Sequence, residues 1–154
     1  MDSDKLILLQ TRKANFEKFY EEMIPVIVEF VGRLGIQPAH QVLNHAEEFV
    51  PYVARTLQDL EVSEEDRIWL LTRVGYFIGE CIVQKYSGCW FVNDDSSSSS
   101  FAHYVVGKFQ RVRSEQTIVD PFHFAKMYVN EPAPRHFDKI FAEVDRLVNL
   151  TSES

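Results

Sequence analysis

Residues 67–87 read RIWLLTRVGYFIGECIVQKYS, an almost wholly apolar helical run that stops at Gly88 and passes at once into the short extended segment CWFV. A helix this apolar cannot face water around its whole circumference, so it must lie at the centre of the fold with the other elements arranged about it. Ser63 precedes it as an N-cap, and Glu64, Glu65 and Asp66 fill the first turn, where carboxylates favour the positive end of the helix dipole. Asp66 stands where a capping box usually carries Glu. Gly88 is expected to supply the permissive backbone at the C-terminus. The central helix is therefore placed at 63–87.

Helices are expected over 5–60. Leu9, Phe16, Tyr20, Met23, Ile27, Phe30 and Leu34 recur at helical spacing. Pro25 interrupts this stripe and removes a backbone donor, which predicts a kink or two abutting helices there. A second segment starts near Pro38 with Val42, Leu43, Ala46, Phe49 and Val50; Pro51 breaks or restarts it, and Val53, Leu57 and Leu60 continue its apolar face. After Gly88 the period becomes extended. Strands are read at 89–93, 104–109 and 116–119, giving a small sheet over 89–119, with a polar loop at 94–100 whose five serines suggest mobility. Asp120 and Pro121 open a C-terminal helical region over 121–149, in which Phe137, Ile140, Phe141, Val144, Leu147 and Val148 share one face. The tail TSES is expected to fray. The fold class is α+β: mainly helical, one domain over 1–154, with a three-stranded antiparallel sheet packed on a central apolar helix.

Composition narrows the function classes. The chain has 154 residues, 45% hydrophobic and 25% charged, as in an ordinary globule. A net charge of -7 argues against nucleic acid as partner. The one basic run, Lys108, Arg111 and Arg113, lies near Tyr104 and Phe109 and reads as a solvated hairpin end. No segment is apolar for long enough to span a membrane, and the acidic start MDSDKLILLQ does not resemble a secretory signal. Cys81 and Cys89 read as small buried hydrophobes in a reducing, cytoplasmic setting.

From Gly79 onward the chain shows GE, then SGCW, then IVDPFHFAKMYV. Gly79, Glu80, Gly88, Trp90, Pro121, Phe122 and Lys126 make a pattern that resembles a group of small uncharacterised bacterial α+β proteins, over about a third of the chain. Some domains of this kind resemble immunity or accessory proteins encoded beside bacterial toxins. The resemblance implies a bacterial interaction protein and brings no catalytic residues with it.

The candidate sites are few. Arg73, Tyr76, Glu80 and Gln84 share one polar stripe on the central helix and suggest a ligand cleft against the hairpin, with Glu80 as a buried acid; the plainer reading is a solvated edge or a carboxylate tying down a loop. Gly75 and Gly79, four apart, suggest close packing, with room for a ligand as the alternative. His40 and His45 are five apart and cannot share a metal in the usual helical manner, and the partners that His45 and Glu48 would need are missing, so no metal or other cofactor is expected. His103 is placed to meet His123 across the sheet, or Cys89 as a thiol–base pair. Nucleotide and hydrolase motifs are absent.

Glu61, Glu64 and Glu65 at the turn into the central helix, with Asp94 and Asp95 at the loop, are the candidate contacts for a basic protein partner. Trp90 and Phe122 are expected as core anchors. The expected function is a non-catalytic protein-interaction module of the immunity or accessory type. A small-molecule-binding domain is the alternative, and a hydrolase or transferase using Glu80 or Cys89 a third.

Overall fold

The computed structural model describes residues 2–110 and 117–152. The start of the third expected strand, Arg111 and Arg113 of the basic run, and the last two residues of the tail fall outside them. The elements are α1 (Ser3–Ala14), α2 (Phe16–Arg33), a 3-10 turn (Ala39–Gln41), α3 (Val42–Leu57), α4 (Glu64–Tyr86), β1 (Cys89–Val92), β2 (Tyr104–Gly107), β3 (Ile118–Val119), α5 (Pro121–Asn130) and α6 (Phe137–Ser152). The strands form one antiparallel sheet in the order β1-β2-β3, with Trp90 opposite Val106 and Val106 opposite Val119. This is the expected α+β architecture.

Helix α4 is central. Leu70, Val74, Phe77, Ile78, Cys81 and Ile82 are buried along it. Ser63 caps its start as expected, the hydroxyl accepting from the Asp66 backbone N–H at 3.2 Å; the Asp66 carboxylate accepts from that same hydroxyl at 3.1 Å rather than from the Ser63 backbone N–H of a capping box. Gly75 and Gly79 leave its backbone bare on one side. A Cβ at Gly75 would lie 2.4 Å from the Phe122 ring, and one at Gly79 would lie 2.0 Å from the Trp90 ring. One ring therefore brings α5 onto the helix and the other brings β1. Arg67 meets Asn130 at the far end of α5, so α5 runs antiparallel along α4. Trp90 is buried as expected, whereas Phe122 is only partly buried.

Several expectations are corrected. The first stripe breaks at Asn15 (φ -96°, ψ 2°), and α2 runs through Pro25. Pro25 and the residue four before it, Glu21, both face solvent, so the carbonyl that loses its donor can bond water. Helix α3 likewise runs through Pro51, and its irregular residue is His45 (φ -135°, ψ 42°). Leu60 is 43% exposed and ends rather than extends the apolar face. Cys89 is exposed; only Cys81 is buried.

The serine loop is a chain of turns. Asp95 accepts from the Ser97 backbone and hydroxyl at 3.0 and 2.7 Å, and the Ser98 hydroxyl accepts from Asn93 Nδ2 and the Ser100 N–H. Lys5 Nζ donates to the Ser96 carbonyl at 3.0 Å. The side chains of Asn93, Asp95 and Ser98 thus close turns within the loop by accepting from its backbone N–H groups.

The end of α4 also differs from expectation. Ser87, not Gly88, takes the left-handed conformation (φ 55°, ψ 48°). Gly88 is required for space: a Cβ there would lie 2.6 Å from the Phe109 ring and 2.8 Å from the Gly107 carbonyl oxygen. Ser87→Gly should therefore stabilise the protein by about 0.5–1 kcal/mol, and Gly88→Ala should destabilise it by about 1–3 kcal/mol. Urea unfolding checks both, and a stabilising Gly88→Ala would contradict the assignment.

Candidate functional site

The polar stripe of α4 faces several different neighbours. Arg73 lies over the Trp69 ring, 4.1 Å from its centroid, and donates to the Trp69 carbonyl at 3.2 Å. Tyr76 meets Phe19 and Phe122 edge-on at 5.8 and 5.9 Å. Phe19 also stacks on Tyr104 at 4.2 Å and meets Trp90 at 5.4 Å, so α2 fills much of the space where a cleft against the hairpin was expected.

Gln84 bridges a gap in α3. In a regular helix the Ala46 N–H would bond the Val42 carbonyl, four residues back. With His45 out of helical geometry that bond is open, and the Gln84 amide enters it. The Ala46 N–H donates to Gln84 Oε1 at 2.9 Å, and Gln84 Nε2 donates to the Val42 carbonyl at 3.0 Å. Leaving either group bare in this part-buried place would cost about 1–3 kcal/mol, which gives the glutamine a structural role.

Glu80 is 8% exposed and meets the edge of the Trp90 indole, whose Nε1 donates to Glu80 Oε1 at 3.1 Å. Burial pushes its carboxyl above the usual carboxylate range, and hydrogen bonds from Trp90 and Gln84 offset part of that rise. Tyr20 is raised too, first by burial and then by the charges of Glu80 and Cys89. Glu80, Trp90, Tyr20 and Cys89 thus form one neighbourhood where β1 leaves α4.

The acidic candidates occupy two places. Glu61, Glu64 and Glu65 are exposed at the start of α4. Asp94 and Asp95 are exposed in the serine loop, beside α1 and near the N-terminus of α5. Since α5 runs antiparallel to α4 from the level of Gly75, the loop lies several turns along the axis from Glu64.

His103 pairs with Asp120, not with Cys89 or His123. Its Nδ1 lies 2.7 Å from Asp120 Oδ2, while Asp120 Oδ1 caps α5 by accepting from the Phe122 and His123 N–H groups at 3.0 and 3.3 Å. Register separates the thiol: Cys89 is opposite Gly107, and His103 immediately precedes Tyr104, which faces Val92 at the other end of the ladder. The pair borders an open groove of about 1270 Å³ that also meets His123 and Lys126. Among the described residues no three His, Cys, Asp or Glu side chains are grouped to hold a metal ion.

One exposed feature escaped the sequence reading. Glu64 and Ile68 form one i, i+4 row on α4, and Glu65, Trp69 and Arg73 form the next. Ile68 is 75% exposed and Trp69 39%. Ile68 shares a helix side with Gly75 and Gly79, which suggested packing. The signal was present in the acidic residues one turn before each apolar one.

Comparison with family models, with curated proteins and with solved structures finds no match.

Because the folded-state pKa of Glu80 is raised, the native protein binds more protons than the unfolded chain between the two values. Stability from this group is full below the unfolded pKa and is lost as pH rises through the folded one. Glu80→Gln keeps an acceptor for Trp90 and removes the charge. It should match the wild type in urea unfolding below about pH 4 and exceed it at pH 7. A variant less stable than wild type at pH 7 would contradict burial as the dominant cause.

Proposed function

We propose that this chain is a non-catalytic interaction module that docks a basic protein partner on the first turns of α4. The observation that carries the reading is the exposure of Ile68 and Trp69 beside Glu61, Glu64, Glu65 and Asp66. Trp is favoured at interface centres because it buries a large rigid area at small entropic cost, and Arg73 stacked over Trp69 limits that cost further. The flanking carboxylates and the net charge of -7 favour a cationic partner and speed its encounter.

The sequence pattern from Gly79 to Lys126 supports a specific form of this role, the neutralisation or escort of a basic bacterial toxin or secreted protein in the cytoplasm. Among the described residues no helix is long and apolar enough to cross a membrane. The structural tasks of Gln84 and the filling of the expected cleft by Phe19 weigh against a ligand site on the polar stripe.

Selection of a random peptide library against the full chain at low salt tests this reading. Enriched peptides should place Lys or Arg beside an apolar residue, bind more weakly as salt rises, and lose at least about tenfold in affinity to Ile68→Asp. Failure to enrich any peptide, enrichment without basic residues, or binding that Ile68→Asp leaves unchanged would refute it.

A further inference from the structure

A second site lies on the far part of α4, where α3, α4 and α6 meet. A cavity of about 200 Å³ opens between them. Its walls are Val50 and Pro51 of α3, Cys81 and Ile82 of α4, and Phe141 and Val144 of α6. Apolar cavities of about 150 Å³ bind benzene, so this one takes a single aromatic ring or a chain of six to eight carbons on that scale.

The mouth has a different chemistry. Lys85 Nζ sits 3.2 Å from Asp145 Oδ1 and 3.5 Å from Glu47 Oε1. Asp138, one turn before Phe141, also borders the cavity, and no cation is paired with it among the described residues. Two carboxylates from two helices therefore meet one ammonium, and the exposed Asp138 carboxylate lines the same cavity without contributing to that pairing. Lys85 satisfies Glu47 and Asp145 together and leaves the mouth with an excess of negative charge.

We propose that this cavity is a binding site for a small organic amine, with the apolar body against Ile82, Phe141 and Val144 and the cationic head at Asp138 and its neighbouring carboxylates. An apolar interior selects a ligand with a carbon body, and its volume limits that body to about one ring. An acidic mouth discriminates among such ligands by their heads: it attracts an ammonium, is indifferent to a hydroxyl and repels a carboxylate. Lys85 and Ile68 are 17 positions apart along α4, about 25 Å at the helical rise. The site is thus separate from the docking surface proposed above, and neither depends on the other.

The probes are 2-phenylethylamine, 2-phenylethanol and 3-phenylpropanoate, titrated into the full chain at pH 7 and low salt and followed by backbone amide NMR shifts. The amine should shift amides around Val50, Ile82 and Val144. The alcohol should bind about tenfold more weakly at the same place, and the acid should not bind. Asp138→Asn, an exposed substitution that leaves the fold intact, should weaken the amine about fivefold without altering the alcohol. Equal binding of alcohol and amine, shifts that map elsewhere, no shift at millimolar amine, or an amine affinity indifferent to Asp138→Asn would each overturn the proposal.

Discussion

With no side chain at Gly75 or Gly79, the backbone of α4 is open to contact over about one turn, and the rings of Phe122 and Trp90 lie directly on it. That contact positions both the sheet and α5. Trp90 is the second residue of β1, so its place on Gly79 sets where the ladder begins; Phe122 follows the Asp120 cap, so its place on Gly75 sets where α5 begins. The two rings lie 5.9 Å apart and share Phe19 of α2 as a neighbour. Helices, sheet and C-terminal region are thereby joined through one aromatic layer. Phe137 makes a second such contact, stacked on Tyr128 at 4.4 Å and 6.0 Å from Phe77, and ties α6 to α4 and α5.

This layer also explains why polar residues occur on so apolar a helix. Burying the Trp90 indole requires an acceptor for its N–H, and Glu80, one residue beyond Gly79, provides it. Gln84 provides the missing hydrogen bonds of α3. Arg135 acts similarly at the other end of α3: its backbone N–H donates to the Gln58 carbonyl at 2.8 Å, and its guanidinium to the Leu57 and Leu60 carbonyls at 3.0 and 2.6 Å. These polar groups satisfy backbone or ring partners that packing would otherwise strand.

Much of the fold was legible because it rests on local signals. A long apolar run between Ser63 and Gly88 located α4, periodicity located the C-terminal helix, and Ser63 and Asp120 cap their helices through the bonds that their positions imply. The misplaced features depend on surroundings that a linear reading does not contain. A proline within a helix costs less where the freed carbonyl can bond water, and Pro25 and Pro51 face solvent. Gly88 reads as a left-handed terminus, yet the constraint on it comes from Phe109 and Gly107, many positions later. Candidate sites were less legible still. The Gln84 bridge requires a distortion at His45 that no residue pattern announces, and the exposure of Ile68 depends on which side of α4 other helices leave uncovered.

The central claim is that the fit of Trp90 against a bare backbone organises the molecule, and a double-mutant cycle between the two positions tests it most directly. In the wild-type background Gly79→Ala should destabilise by about 1–3 kcal/mol in urea, because the ring held by Glu80 cannot move aside. In a Trp90→Ala background the same substitution should turn stabilising by up to about 1 kcal/mol, the ordinary helical advantage of Ala over Gly. An equal effect of Gly79→Ala in both backgrounds would contradict the account.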